Sequence, residues 1–202
     1  LGEVIRIEQN NEVNFMVLIQ TRRLILREFC GDDLEAVHEY ASDPEVIRYM
    51  DWGPNTIEDT RNFLQRAISY QRESPRRNFV LAIDLKSVNK LIGDCEIIIS
   101  DPVNRQGYIG YCLNRNFWSQ GYTIEAAKAL LKFGFEKLNL HRIFAICDSA
   151  NIRSVRVLEK ISMRLEGHLK EHKFVKGKWR DLLIYAILDY EWKSKEVREY
   201  KI

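Results

Sequence analysis

The chain has 202 residues, room for one large domain or two small ones, and 46% of them are hydrophobic, enough to close a core. Its 31 basic and 29 acidic residues leave a net charge of +2, without the clustered basic excess of a nucleic-acid binder. No basic-then-apolar leader opens the N-terminus, and the longest apolar run, 182–188, falls far short of the ~20 residues that cross a bilayer, so a cytoplasmic protein with no membrane contact is expected.

Residues 1–18 read as an extension, 19–190 as the domain and 191–202 as a charged tail. The run 23–29 is rich in strand formers. Asp32 and Asp33 then cap a helix with Leu34, Val37 and Ala41 on its inner face. Pro44 opens a short helical turn to Met50. Thr56 caps a longer helix carrying Phe63, Leu64, Ala67 and Ile68 on one side. Strands at 79–85, 91–100 and 108–113 follow, with turns at Asn89 and at Asp101-Pro102, and their short connections predict an antiparallel meander. From 123 to 138, Ile124, Ala127, Leu130, Leu131, Gly134 and Leu138 fall at helical spacing in a segment of strong helix formers. A strand at 142–148 leads to a second amphipathic helix at 151–161. Two strands, 164–175 and 179–188, close the domain as a hairpin around Lys176-Gly177-Lys178. The tail from Trp192 is helical or frayed. This order predicts a single mixed α/β (α+β) domain, with a central twisted sheet of about six to seven strands and about four flanking helices. The cysteines, Cys30, Cys95, Cys112 and Cys147, form no CxxC pair, and three sit in strand-like runs, so buried, reduced thiols in a reducing compartment are expected.

One junction carries chemistry. A strand ending at Leu113 and Asn114 runs through 115–120 into a helix that starts near Gly121. A helix N-terminus offers unpaired N–H groups and a positive partial charge, and Ser119 and Gly121 let an anionic group approach it closely. That geometry suits a pyrophosphate; plain helix capping uses the same residues. Neither a Walker A loop nor a GxGxxG fingerprint is present.

Taken in order, Trp118-Ser119-Gln120-Gly121-Tyr122-Thr123, the preceding Ile109-Gly110-Tyr111-Cys112-Leu113-Asn114, and Asn151-Ile152-Arg153-Ser154 with Glu159-Lys160 resemble the GNAT acetyltransferase superfamily. The likeness is to its ribosomal-protein N-terminal (Rim-type) branch. It extends from the strand opening at Thr21-Arg22-Arg23 to the closing hairpin and covers roughly 21–190. The resemblance implies that acetyl-CoA is the co-substrate, with no metal. It places the donor against Cys112, Leu113, Trp118, Ser119, Gln120, Gly121, Tyr122, Thr123, Asn151, Ser154 and Lys160. The chain departs from the family pattern at three places. Thr123 stands where glycine or alanine is usual, Ser162 replaces a glycine, and Tyr108 replaces a glutamate that can act as base.

The resemblance further implies direct attack of an amine on the thioester, without a covalent acyl-enzyme. A backbone N–H of 111–114 would then stabilise the developing oxyanion, worth about 3 kcal/mol. Ser154 is the candidate acid for the departing thiolate, or else only a helix cap; Leu158 occupies the region where relatives carry a tyrosine acid. Glu96, on the neighbouring strand, is the candidate base, or else a solvated carboxylate. An α-amine (pKa about 8) needs less help than a lysine (about 10.4), which favours a peptide or protein N-terminus as acceptor. A small amine or antibiotic acceptor, and a non-catalytic acetyl-CoA-binding regulator, are the alternatives. The protein is expected as a monomer or homodimer. The stretch 50–54 lies where the acceptor side is shaped, and its aromatic and acidic content suits a cation. His168-Leu169-Lys170-Glu171-His172 matches HxxEH, but four residues of strand span ~13 Å, too far for two nitrogens to share one zinc.

Overall fold

A computed structural model describes residues 16–199. Its strands are β1 (Leu18–Gln20), β2 (Leu24–Glu28), β3 (Asn78–Leu85), β4 (Lys90–Asp101), β5 (Gln106–Leu113), β6 (Arg142–Asp148), β7 (Arg164–Val175) and β8 (Lys178–Leu188). The helices are α1 (Leu34–Ala41), α2 (Ile57–Tyr70), α3 (Tyr122–Glu136), α4 (Ile152–Lys160) and α5 (Asp189–Glu199). All eight strands form one sheet in the order β1-β2-β3-β4-β5-β6-β8-β7. The pairing is antiparallel everywhere except between β5 and β6.

The mixed single-domain sheet expected from the pattern is present, with more strands and helices than expected. The additional strand is β1, too short for alternation to announce it, yet Val17 and Ile19 beside and within it are buried in the core. Leu18, assigned by pattern to the extension, is its first residue. The additional helix is α5, the ordered form of the tail, whose Trp192 ring packs 6.0 Å from that of Phe135. Residues 1–15 and 200–202 of the extension and tail lie outside the described residues. The short helical turn expected between Pro44 and Met50 takes the form of hydrogen-bonded turns. Val46 N and Ile47 N both donate to the Asp43 carbonyl, and Met50 N to that of Ile47, so a single turn forms and nothing extends it.

The sheet is covered on both faces. Alternate residues of the middle strands (Leu81, Ile83, Cys95, Ile97, Ile109) meet Ala127, Leu130 and Leu131 of α3 and Leu158 of α4. The opposite set (Val80, Ala82, Cys112) meets Val37, Tyr40 and Ala41 of α1 and Leu64 and Ala67 of α2. Period-two alternation thus sorts the side chains into an α3/α4 face and an α1/α2 face. Thr56 caps α2 reciprocally with Asp59, the capping box its sequence announces.

Candidate active site

The parallel pair is incomplete. β5 and β6 are bonded only where Gln106–Tyr108 face Arg142–Phe144. Beyond Tyr108, β5 stays with β4 as far as Leu113, and β6 stays with β8 as far as Asp148. The two strands therefore splay, and the facing backbone edges of 109–113 and 145–148 have no ladder partner in each other. The N-terminus of α3 follows the end of β5, and that of α4 follows the end of β6, so both helices start at the open end of the gap. Ligands of open α/β sheets bind outside the carboxyl ends of parallel strands, where such helices begin. A cleft of about 1250 Å³ occupies this place and is lined from both faces of the sheet.

On the α3/α4 side, the segment after β5 is tied down residue by residue. Trp118 Nε1 donates to the Leu113 carbonyl at 2.7 Å, and the Arg153 guanidinium lies over the Trp118 ring at 4.5 Å. Ser119 and Gly121 both adopt left-handed backbone, φ 61° and 79°, which turns the chain sharply into α3. Gly121 is the N-cap and brings no side chain to the first-turn N–H groups of α3. Those groups stay available to a ligand. Arg23 clamps the turn from outside. Its Nη1 donates to the Gln120 carbonyl at 2.9 Å, its Nε to Glu125 at 2.6 Å, and its guanidinium stacks 4.4 Å from the Tyr122 ring. Burial works against a charged Glu125, but bonds from Thr21 and Arg23 prevail and hold its carboxyl below the usual range. The pairing also offsets the one carboxylate in the first turn of α3, which would otherwise repel an incoming anion.

At the start of α4, the helix is capped by Asn151, whose Oδ1 accepts from Ser154 N at 3.1 Å. The Ser154 hydroxyl is therefore not the cap. It lies 2.9 Å from the phenol oxygen of Tyr111, a residue of β5 on the α3/α4 face. Burial pushes the Tyr111 phenol well above its ordinary value, against the bond to Ser154. Ile146, 50% exposed although it is a mid-strand aliphatic residue, offers an apolar wall beside the gap.

On the α1/α2 side, Asp94 and Glu96 of β4 both line the cleft. Glu96 faces Gly110 across the ladder, and its carboxyl lies over that glycine. A Cβ at Gly110 would sit 2.8 Å from Glu96 Oε1, so the absence of a side chain there is what seats the carboxylate. Burial, and then the charge of Asp51, raises the Glu96 carboxyl above the ordinary range. Asp94 accepts a 2.6 Å bond from the Tyr40 phenol of α1. Tyr108 is pushed up to about 12 by burial and then by Glu96, and its ring lies 5.9 Å from that of Phe144. The β7–β8 hairpin is strapped to the 47–54 loop at the mouth of the cleft. Lys173 pairs with Asp51, and Lys176 Nζ donates to the Ile47 carbonyl at 2.8 Å.

Of the residues singled out by sequence, Glu96, Cys112, Asn151 and Ser154 line the cleft together. Leu113 is buried at the end of β5 and holds Trp118 by its carbonyl. Residues 118–123 form the turn into α3. Lys160 stands apart, exposed at the far end of the nine-residue α4. His168 and His172 lie on strand β7, and His168 Nε2 is 2.9 Å from Asp181. Asp94 and Tyr40 lie outside every motif, and Tyr111 and Arg23 stand within motif segments that assign them no role. Parity along β4 would have put Asp94 beside Glu96; nothing local announces the Tyr40 contact, which spans 54 residues.

A family model described as an acetyltransferase (GNAT) domain matches residues 23–164, and the chain belongs to that family. It is 39% identical over 175 residues to an uncharacterized N-acetyltransferase, YnaD, of Bacillus subtilis, covering 86% of this chain and 98% of the relative. The solved structure of a GNAT-family acetyltransferase from Bacillus anthracis is 38% identical, with a TM-score of 0.77 over 87% of this chain and all of that one. At 24% identity, a likeness of fold alone, the chain also matches RimL, a ribosomal L7/L12 α-N-protein acetyltransferase solved with coenzyme A, covering 85% of this chain and 98% of RimL at a TM-score of 0.77. The protein is an N-acetyltransferase.

Proposed function

We propose that acetyl-CoA lies through the β5–β6 gap and that the acceptor amine approaches from the α1/α2 face. The observation that carries this is the splay itself, with two helix N-termini at its open end and a carboxylate on the opposite face. The first-turn N–H groups of α3 at 121–123, flanked by Trp118, Ser119 and Gln120, would hold the pyrophosphate. The free edge of β5 and the wall at Ile146 would take the pantetheine arm. Asn114 N is spent on the Ile92 carbonyl, so alternation leaves the N–H groups of Tyr111 and Leu113 on the gap side as oxyanion donors. Lys160 would meet the donor only outside the cleft.

Glu96 is the base in this reading. Burial has raised its carboxyl, which brings its proton affinity closer to that of an amine. On the other face, Tyr111 and Ser154 form a hydrogen-bonded pair that can pass a proton to the departing thiolate. Base and acid thus approach the thioester from opposite sides of the sheet. The four free cysteines are consistent with work in the cytoplasm.

The acceptor in this reading is a peptide or protein N-terminal α-amine, about a tenth neutral at pH 7. A small cationic amine is the second reading, favoured by the Glu96 carboxylate and the aromatic rings of Tyr49, Trp52 and Tyr108 that line the cleft. Thiol release from acetyl-CoA, measured across peptides, free lysine and small di- and polyamines, separates the two. Faster turnover of peptides supports the first reading, and clear preference for lysine or small amines overturns it. No thiol release with any amine overturns both.

A further inference from the structure

Glu96 is not the only carboxylate that β4 turns into the cleft. Asp94 and Glu96 are i and i+2 on β4, and both line the cleft. Two such positions are about 6.5–7 Å apart along a strand. No cation pairs with either carboxylate among the described residues, and the one polar partner of Asp94 is the Tyr40 phenol at 2.6 Å. Tyr40 is itself fixed in the core between α1 and the sheet. A buried carboxyl beside another, without a cation, is an unusual expense unless its charge is used.

We infer that Asp94 is a positioning residue for the reaction: its charge, set through the bond from Tyr40, governs how strongly Glu96 takes the proton of the acceptor amine. This rests on the reading of Glu96 as the base. Burial first, and then the neighbouring Glu96, pushes the Asp94 carboxyl up to about 7, against the Tyr40 bond. Below that pH, Asp94 is neutral and Glu96 ionises alone. Above it, Asp94 carries a charge that repels the charge on Glu96. Repulsion between two neighbouring carboxylates makes Glu96 a stronger base, on the order of one pH unit. The proton itself simply moves from the amine nitrogen to a Glu96 carboxylate oxygen as the new N–C bond forms, and Asp94 exchanges none with the substrate.

The other titratable or charged groups in the cleft come from every element around it: Tyr40 on α1, Asp59 and Arg66 on α2, Tyr108, Tyr111 and Cys112 on β5, Cys147 and Asp148 on β6, His172, Lys173 and Arg180 on the hairpin, and Arg48, Tyr49 and Asp51 on the 47–54 loop, where Asp51 is tied to Lys173. The Cys112 thiol and the Tyr40 phenol are held far above neutrality by burial, and Tyr108 at about 12, so none of them titrates with the pair.

The test has a binding-free arm and a kinetic arm. In the full chain labelled with 13C at side-chain carboxyls, Asp94 should titrate near neutrality, and Glu96→Gln should lower its midpoint. An Asp94 that titrates in the ordinary carboxylate range, or that ignores Glu96→Gln, overturns the inference. In the kinetic arm, kcat/KM for a lysine-type amine is followed from pH 5 to 8, well below the amine's own pKa of about 10.4. After correction for the amine's own titration, the wild type should rise in two steps, the second about fivefold. Asp94→Asn, which can still accept the Tyr40 bond, should keep the first step and lose the second. If the variant merely loses activity at every pH with both steps intact, Asp94 is only structural. Full activity of Glu96→Gln would instead sink the reading of Glu96 as base, whatever the carboxyl titrations show.

Discussion

The two sides of the splayed sheet are built in different ways. The α3/α4 side is made from consecutive residues: a strand end, a turn and a helix start, held by backbone geometry and by one clamp, Arg23. The α1/α2 side is assembled from residues of β4, β5, α1, α2, the 48–55 loop and the closing hairpin, segments far apart in the sequence. The first arrangement recognises something constant, because backbone N–H groups read charge and shape and little else. The second can change one side chain at a time, which suits a variable acceptor. With the donor on the first side and the acceptor on the second, as proposed, donor and acceptor specificity are separable, and variants on one side should leave the other intact.

The largest effect tests the acceptor side. Glu96→Gln removes the proposed proton acceptor, and kcat/KM should fall at least about 100-fold at neutral pH, with CoA affinity by calorimetry unchanged. The sign with pH follows from the raised carboxyl: wild-type activity is lost as pH falls through a value above the ordinary glutamate range, and the variant should lack that limb. Gly110→Ala is the next in size. Its methyl group would come within 2.8 Å of Glu96 Oε1 and must push the carboxylate aside. A displacement of that kind should lower kcat by roughly 10- to 100-fold, again with CoA binding kept. A loss of CoA affinity in either variant would break the separation.

Gly121→Val tests the donor side. At φ 79° a β-branched residue is strained by about 1–2 kcal/mol, and the turn must open to relieve it. The expected result is CoA binding weakened by roughly 10-fold in calorimetry, with acceptor selectivity across the amine panel unaltered. A changed order of preferred amines would show that the turn shapes the acceptor side as well.

The same contrast explains what the sequence made legible. Helical spacing and the glycine at the α3 start are local signals, so the segment 118–123 and the helices α3 and α4 can be read directly from the chain. The meander of β3, β4 and β5 is legible for the same reason, since short turns join neighbours. The Tyr40–Asp94 bond and the Lys173–Asp51 pair join residues 54 and 122 positions apart, and no spacing rule reaches that far. By its place in Asn151-x-x-Ser154, Ser154 fits the roles of cap and acid alike. Only the bond from Ser154 N to Asn151 Oδ1 assigns the cap to asparagine and leaves the hydroxyl beside Tyr111. The strand β1 escaped because three residues carry too little alternation to be told from an extension.

The smallest effect concerns Ser162, one of the departures on the α3/α4 side. It follows the end of α4 with φ 69°, and the next residue's amide, Met163 N, donates back to the Leu158 carbonyl. That is the place where a helix ends in left-handed backbone, and glycine fits it without a Cβ clash. An L-residue there costs about 1–2 kcal/mol, and glycine returns part of the gain as extra freedom in the unfolded chain, roughly 0.5–1 kcal/mol. Ser162→Gly should therefore stabilise the protein by about 0.5–1 kcal/mol in urea unfolding, with the slope unchanged. Neither CoA affinity nor acceptor order should move, because the turn lies at the end of α4 remote from the cleft. A gain in stability accompanied by altered CoA binding would mean that the serine is held in strain for the donor, and the departure would then belong to function rather than to folding.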